Sequence, residues 1–157
     1  MRRLAVLLAT GFGIGYLPIA PATWASAAAA LALFALLPGM DWILIVVAIV
    51  AITPLAIWTS GEAERRLGHD ARPIVIDEVV GMLVSVCGVP MAGRGSAHLA
   101  IMLAIAFVFF RVFDIWKPYP ARSSQSLPGG YGVVVDDILA GVYANISLHI
   151  VARVWPA

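Results

Sequence analysis

The acidic residues are the most informative part of this chain, because only nine occur among its 157 residues. Five of the nine border or enter apolar stretches, in three short motifs: Asp77 with Glu78, Asp114 alone, and Asp136 with Asp137. A carboxylate within an apolar membrane segment is costly to insert and usually serves a function there. These five acids are therefore the candidate catalytic groups.

The same five acids are also candidate metal ligands. Carboxylates without histidine or cysteine partners suit a hard divalent cation, and Mg²⁺ in particular combines one or two carboxylates with water and phosphate oxygens. His69, His98 and His149 lie far apart without metal-ligand spacing, and Cys87 is the only cysteine, so neither a zinc site nor an internal disulfide is expected. The pattern predicts a Mg²⁺ site.

Cationic and glycine residues accompany the acids. Arg111 lies one helical turn before Asp114, and Lys117 follows it just outside the apolar run. Gly129 and Gly130 belong to a glycine-rich loop that enters the last apolar run, where backbone N–H groups could meet an anion. An arginine and a lysine beside a carboxylate metal cluster are the components of a phosphate site. The simpler alternatives are a salt bridge for Arg111 and an ordinary turn for the loop.

The composition shows which kind of protein must hold these residues. Hydrophobic residues make up 62% of the chain and charged residues only 12%, and the mean hydropathy is +0.96. Such a chain cannot cover a water-facing surface, which excludes a typical cytosolic enzyme and a disordered protein. A net charge of +1 is unlike the basic surface of a nucleic-acid-binding protein, so no nucleic acid partner is expected. The length fits a single membrane domain, residues 1–157.

Five apolar runs are each near the ~20 residues that cross a bilayer as a helix. The sequence therefore predicts an all-α integral membrane protein, a bundle of about five transmembrane helices. The stretch 4–20 begins like a signal peptide, but we expect it to be retained as a Gly/Pro-interrupted segment, re-entrant or interfacial, that does not cross. The predicted spans are residues 23–38, 42–59, 74–89, 97–116 and 133–155.

The distribution of basic residues tests this topology. With a cytoplasmic N-terminus and a non-crossing segment 4–20, the cytoplasmic side carries an excess of cations, as the positive-inside rule requires. All five acids of the three motifs then fall on the cytoplasmic level of the membrane. Gly81 and Gly141 each follow an acid by four positions and would let two helices bring the acid pairs together. The cytoplasmic cations are Arg2, Arg3, Arg65, Arg66, Arg72, Lys117 and Arg122, against Arg94 and Arg153 on the far side.

Four blocks of sequence, spread over nearly the whole chain, resemble the phosphatidylglycerophosphatase A family of bacterial membrane lipid phosphatases. They are GYLPIAPAT at 15–23, IDEVVG at 76–81, FRVFDIWKPYP at 110–120 and GGYGVVVDDILAG at 129–141. The resemblance implies Mg²⁺-dependent removal of the terminal phosphate of phosphatidylglycerophosphate. It also implies a location in the bacterial inner membrane, with an active site that faces the cytoplasm and membrane lipids as partners.

One block departs from the family pattern, which usually reads Pro-Gly-Thr-x-Gly-Ser. Here Ala22 and Ala25 stand at the two glycine positions. If those glycines serve positive φ angles or close approach to phosphate, alanine weakens that role. Thr23 and Ser26 are therefore candidate substrate contacts, with helix N-capping as the alternative for both.

A small membrane cation transporter is the main alternative, because intramembrane acids also line ion pathways. A transporter would be expected to carry its acids near the membrane midplane, whereas these acids cluster at one surface. For the phosphatase, an uncommitted carboxylate would either activate a water molecule or attack phosphorus itself. The sequence favours the phosphatase and leaves the nucleophile and the oligomeric state open.

Overall fold

The fold consists of helices joined by short loops. A computed structural model describes residues 2–90 and 95–155, and these ranges contain no β-strand. Arg94, one of the two far-side cations, lies outside the described residues. The helices in chain order are α1 (Arg2–Ala9), α2 (Pro21–Leu36), α3 (Trp42–Leu67), α4 (Ile76–Val86), α5 (Ser96–Trp116), α6 (Ala121–Ser124) and α7 (Gly130–Val154).

Four of these helices are long and apolar enough to cross a membrane: α2 with the turn that follows it, α3, α5 and α7. They contain 19, 26, 21 and 25 residues. A rise of ~1.5 Å per residue matches these lengths to a hydrocarbon layer of ~30 Å. The prediction of an all-α membrane protein is confirmed.

The predicted span 74–89 differs from a continuous transmembrane helix. Only the 11 residues of α4 are helical, a length of ~16 Å. Gly88, with φ of +71°, and Pro90 follow α4 and disfavour a continued helix. Gly88 and Pro90 nevertheless line the same cavity as Leu37 and Trp42, at the junction of α2 and α3. Beyond α4 the chain continues as a turn and not as a helix, with hydrogen bonds from the Cys87 N–H to the Val84 oxygen and from the Val89 N–H to the Val86 oxygen.

The C-terminal end of α4 lies inside the bundle, where its last carbonyl groups need partners. Asn145 of α7 supplies them: its Nδ2 donates hydrogen bonds to the Ser85 oxygen at 3.1 Å and the Cys87 oxygen at 2.8 Å. Carbonyls at a helix end have no partner within the helix, and leaving them unpaired in apolar surroundings costs several kcal/mol. Asn145 thereby stabilises a helix that ends at membrane depth.

Helices α4 and α7 cross at very short distance where two glycines meet. A Cβ added to Gly141 would lie 2.6 Å from the backbone oxygen of Gly81. A Cβ added to Gly81 would lie 2.3 Å from the ring of Phe110 and 3.1 Å from the backbone oxygen of Asp137. The predicted close approach at Gly81 and Gly141 is confirmed, because no larger residue fits at either position.

The N-terminal segment stays at one end of the bundle. Its helix α1 has eight residues and is followed by an irregular turn with positive φ at Phe12 and Gly13. Ala9 packs in one cluster with Ala63 and Val133, and its carbonyl accepts a hydrogen bond from the Val75 N–H at 2.8 Å. These partners lie where α3 ends and where α4 and α7 begin. The interrupted segment is therefore present as predicted, and it is not among the candidate spans of the described residues. That it does not cross the membrane stays a prediction.

Candidate active site

The five acids meet at the end of the bundle where α4 and α7 begin and α5 ends. Asp77 and Glu78 lie in the first turn of α4, and Asp114 lies two residues before the end of α5. Asp136 and Asp137 lie in the second turn of α7, and these four residues of α4 and α7 are all buried. The convergence predicted from the sequence is therefore present in the fold.

Three of the acids form a group that could hold a cation. Asp114, Asp136 and Asp137 each offer one carboxylate oxygen, and these oxygens lie within 4.8 Å of one another. Two further buried oxygens, Asp77 Oδ1 and Asp137 Oδ2, have no hydrogen-bond partner within the described ranges. Burial without a partner is costly for such an atom, and a cation would relieve it. An all-oxygen donor set fits a hard divalent metal.

Glu78 is not part of the group formed by Asp114, Asp136 and Asp137, and it contacts Arg111 and Ser26 instead. Both of its carboxylate oxygens accept hydrogen bonds at 2.7 Å from Nη1 of Arg111. The Ser26 hydroxyl on α2 donates to Glu78 Oε2 at 2.5 Å. In this geometry the contacts of Glu78 orient Arg111 and tie α2 to α4, and its predicted role as a metal ligand stays a prediction.

Arg111 contacts two of the acids and has one N–H donor without a partner among the described residues. Its Nη1 also contacts Asp114 Oδ2 at 3.1 Å. Its Nε is buried and has no hydrogen-bond partner in the described part of the chain. A guanidinium with an unused N–H beside a carboxylate group can donate to a phosphate oxygen.

Lys117 ends α5 in the left-handed conformation, with φ of +48°. Its Nζ hydrogen-bonds Asp136 Oδ2 and lies 3.6 Å from Asp114 Oδ1. Partial burial lowers the pKa of Lys117, but the hydrogen bond and the attraction of Asp136 and Asp114 outweigh it, so the pKa lies above its ordinary value. The ammonium group therefore stays charged among the acids.

The charge of the cluster also fits a cation. Five carboxylates face two cationic side chains, Arg111 and Lys117, which leaves three negative charges uncompensated if all five acids are ionised. The carboxylates of Asp77 and Asp137 are close enough to repel each other. A divalent cation would remove most of the excess.

Three of the predicted substrate contacts form no hydrogen bond with the acids among the described residues. Thr23 is half-buried in the first turn of α2, and no side-chain hydrogen bond links it to the acids among the described residues. Gly129 and Gly130 line a separate cavity with Trp58 and Arg65. A Cβ on Gly130 would lie 2.0 Å from the Ile57 oxygen, so close packing on α3 accounts for this glycine. A role for these three in binding substrate stays a prediction.

Ser26 does join the cluster, through Glu78, and the alanines beside it are accommodated by the fold. Ala22 and Ala25 lie inside α2 and are absent from the positive-φ residues of the described chain. The left-handed residue of this block is Ala20, immediately before the helix. A right-handed helical backbone does not need glycine, so the substitution causes no backbone strain.

Asn145 is the important residue that sequence reasoning missed. Its signal was present, because a carboxamide in the middle of an apolar run needs hydrogen-bond partners. The sequence could not show what it binds, since the two carbonyls it meets are 58 and 60 positions earlier in the chain.

Comparison with known proteins gives concordant results. The family model described as phosphatidylglycerophosphatase A matches residues 7–152. Phosphatidylglycerophosphatase A of Escherichia coli is 33% identical, over 96% of this chain and 84% of that protein. The Haemophilus influenzae protein of the same name is 37% identical, over 89% of this chain and 83% of that protein. No solved structure matches the chain.

A relative with a different name shares as much sequence. It is a Bacteroides thetaiotaomicron protein whose name gives phosphatidylinositol-3-phosphatase as a provisional activity, 37% identical over 94% of this chain and 92% of its own. All three names describe lipid phosphatases, and none supports the alternative of a cation transporter. The protein is thus an enzyme, a phosphoric monoester hydrolase. On the match of the family model and the two relatives that carry the family's name, the chain belongs to the phosphatidylglycerophosphatase A family.

Proposed function

We propose that the protein is a Mg²⁺-dependent phosphatidylglycerophosphatase of the bacterial inner membrane. It hydrolyses the terminal phosphomonoester of phosphatidylglycerophosphate to phosphatidylglycerol and phosphate. The observation that carries this proposal is the grouping of Asp114, Asp136 and Asp137, with oxygens within 4.8 Å of one another, beside Arg111 and Lys117. Metal ligands and phosphate donors in one place are what a phosphoryl transfer requires.

The active site faces the cytoplasm in this proposal. Cationic residues concentrate at the end of the bundle that carries the acids, where Arg65 and Arg66 close α3 and Arg122 lies on α6. Arg153 lies in the last turn of α7, at the opposite end. The positive-inside rule assigns the cation-rich end to the cytoplasm. Lipid phosphates lie at this headgroup level, so the acyl chains can remain in the bilayer during hydrolysis.

Asp114, Asp136 and Asp137 would hold Mg²⁺. When bound, the metal would stabilise the charge that develops on the phosphate oxygens during transfer. Arg111 donates its Nε–H to one phosphate oxygen, and the Lys117 ammonium binds a second. Glu78 holds Arg111 in place through its two hydrogen bonds to Nη1. The carboxylates and cations together orient the phosphate before the reaction begins.

Asp77 is the candidate group for activating the nucleophile, because its Oδ1 has no hydrogen-bond partner among the residues described. It can accept a proton from water as the water oxygen bonds to phosphorus and the phosphorus–oxygen bond to the lipid breaks, and the proton then passes to the leaving lipid oxygen, which departs as the alcohol. Alternatively, a carboxylate attacks phosphorus first and water then cleaves the acyl phosphate. Acid quenching with substrate labelled at the terminal phosphate separates these routes, because only the second leaves label on the protein.

The central test measures phosphate release from phosphatidylglycerophosphate in detergent, with Mg²⁺ or with EDTA. We expect EDTA to abolish activity and Asp137→Asn to lower kcat at least about 100-fold, because a buried ligand is lost. Asp41→Asn is the matched control, since Asp41 precedes α3 at the opposite end of the bundle. Equal rates for Asp137→Asn and Asp41→Asn would refute the site. Undiminished release in EDTA would refute the metal dependence, and no release by the wild type would refute the activity.

A further inference from the structure

An apolar groove of about 450 Å³ lies between α2 and α5 and opens on the outer surface of the bundle. Small residues form much of its wall and larger side chains frame it. Its volume lies in the range of ligand pockets, ~300 to 1,000 Å³. The α2 side includes Ala27, Ala30 and Phe34, and the α5 side includes Leu103, Ala104 and Phe107.

The end of the groove that lies nearest the acid cluster adjoins the proposed phosphate-binding residues. Ala27 directly follows Ser26 in α2, and Phe107 lies one helical turn before Arg111 on the same face of α5. Above them, Nη1 of Arg111 and Oγ of Ser26 are 3.5 Å apart and connect the two helices. The groove therefore begins where the candidate phosphate site ends.

The groove then runs along the helices toward the interior of the bilayer. Ala27 and Phe34 are seven residues apart on α2, which is ~10 Å along the helix axis. Every residue of the lining is apolar, so a polar occupant would find no hydrogen-bond partners there. The chemistry that matches this lining is a hydrocarbon chain.

Resting on the proposed function, we propose that the groove binds one acyl chain of the phosphomonoester lipid that is being hydrolysed. The chain holds the lipid at a fixed depth and position, so that its phosphate meets Arg111 at the top of the groove. Binding energy from this remote part of the substrate then serves to orient the reacting group. The groove thereby selects membrane-anchored phosphomonoesters over water-soluble ones.

The first experiment fills the groove. Ala104→Phe introduces a ring into the α5 wall without changing a residue of the phosphate site, and Ala51→Phe makes the same change at an exposed position of α3 outside the groove. The substrates are dioleoyl phosphatidylglycerophosphate in mixed micelles and its deacylated, water-soluble counterpart. We expect Ala104→Phe to raise KM for the dioleoyl substrate about tenfold, because the ring would occupy the space of the acyl chain and weaken substrate binding. Hydrolysis of the deacylated substrate stays at the wild-type rate.

The comparison separates the two proposals. If Ala104→Phe and Ala51→Phe act alike on the dioleoyl substrate, the groove proposal is overturned while the activity stands. Equal loss on both substrates also overturns it, because the damage would then lie at the phosphate site. If the wild type hydrolyses neither substrate, the proposed function itself fails.

A second experiment does not depend on turnover or on the stability of a variant. The wild-type protein is photolabelled with a phosphonate analogue of the substrate that carries a diazirine in the middle of one acyl chain. Label is expected on Leu31 and Leu103, about tenfold above the label from a phosphatidylcholine probe with the same chain. Equal labelling by the two probes would show that ordinary bilayer lipid occupies the groove and would overturn the proposal.

Discussion

Arg111 has a double role that its position in the sequence does not reveal. Its Nη1 bonds Glu78 and Asp114, which lie on different helices, while Nε is left for a phosphate oxygen. A lysine keeps the charge but lacks the planar fork of N–H donors, so its single ammonium cannot place donors at both the Nη1 and the Nε positions. Because Arg111 of α5 also contacts Glu78 of α4, substituting it tests both the packing of these helices and the binding of phosphate.

We predict that Arg111→Lys lowers kcat/KM about 10- to 100-fold, a loss of ~1.4 to 2.7 kcal/mol in transition-state stabilisation. The measurement is steady-state phosphate release from phosphatidylglycerophosphate. Arg122→Lys is the control, because Arg122 lies exposed on α6. Unchanged kcat/KM in Arg111→Lys would mean that the guanidinium geometry is not used.

The sequence revealed which residues form the site but not their contacts. Charged residues are conspicuous in an apolar chain, so the five acids, Arg111 and Lys117 could be recognised directly. The pairing of Glu78 with Arg111 joins residues 33 positions apart, and its bond from Ser26 spans 52 positions. Such contacts depend on how α2, α4 and α5 pack, and that packing is set by many small residues together.

At the level of whole helices, the site depends on the close crossing of α4 and α7. We predict that Gly141→Ala destabilises the protein by ~1 to 3 kcal/mol, because its Cβ would lie 2.6 Å from the Gly81 oxygen and 3.0 Å from Val84 Cβ. Separation of the helices also moves Asp77 away from Asp137, so we expect activity to fall as well.

Thermal unfolding in detergent and phosphate release measure these two effects of Gly141→Ala. Gly39→Ala is the matched control, since a Cβ at Gly39 meets no atom within 4 Å. An unfolding midpoint for Gly141→Ala equal to that of Gly39→Ala would contradict the packing argument.

The end of α4 gives a prediction that hydropathy alone could not. Asn145→Leu removes the hydrogen-bond donor of the Ser85 and Cys87 carbonyls, although leucine is the more hydrophobic residue and hydropathy would favour it in this apolar run. We expect a loss of ~1 to 3 kcal/mol in stability, because two buried carbonyls are left unpaired. Ser147→Ala is the control: within the described ranges, its hydroxyl bonds only the Tyr143 oxygen of the same helix. Stability is measured by denaturation in detergent, and a more stable Asn145→Leu would show that the cap is unnecessary.

Hydropathy correctly located the apolar runs, but the run 74–89 is helical only over Ile76–Val86 and not over its full length. The runs that became α2, α3, α5 and α7 are helical over nearly their whole length, although α2 ends in a 3₁₀ turn and α3 contains Pro54, so composition and structure agree there. The run 74–89 contains enough apolar residues for a span, but its helix ends at Val86 in a turn in which Gly88 has a φ of +71° and which Pro90 follows. Hydropathy measures transfer of side chains and carries no information about where a helix must stop.

Across the whole molecule, polarity is strongly uneven. One end carries the acid cluster and most of the cations, and aromatic residues near it are largely exposed. Trp116 is 70% exposed and Tyr119 82% exposed, immediately after α5. Tyr16 and Trp24 are exposed in the N-terminal segment and the start of α2. Tryptophan and tyrosine favour the membrane–water interface, so we expect this end to lie at the headgroup level.

The path of the chain after α4 decides the topology of the whole molecule. Helix α4 begins beside the acids, whereas α5 ends beside them and begins at the opposite end, where His98 contacts Trp155. The chain therefore passes once through the bundle between these two helices, and we expect an odd number of membrane crossings with the two termini on opposite sides. The shared cavity of Gly88 and Pro90 with Leu37 and Trp42 favours the odd number.

We therefore predict that alkaline phosphatase fused after Ala157 is active in the periplasm, whereas the same reporter inserted between α6 and α7 is inactive. A fluorescent protein at the same two positions should give the reverse pattern, because it matures in the cytoplasm. The reporter at the α6–α7 connection is the internal control, since the cation-rich end should face the cytoplasm. A C-terminus on the same side of the membrane as this connection would mean that α7 does not cross and would overturn the predicted topology.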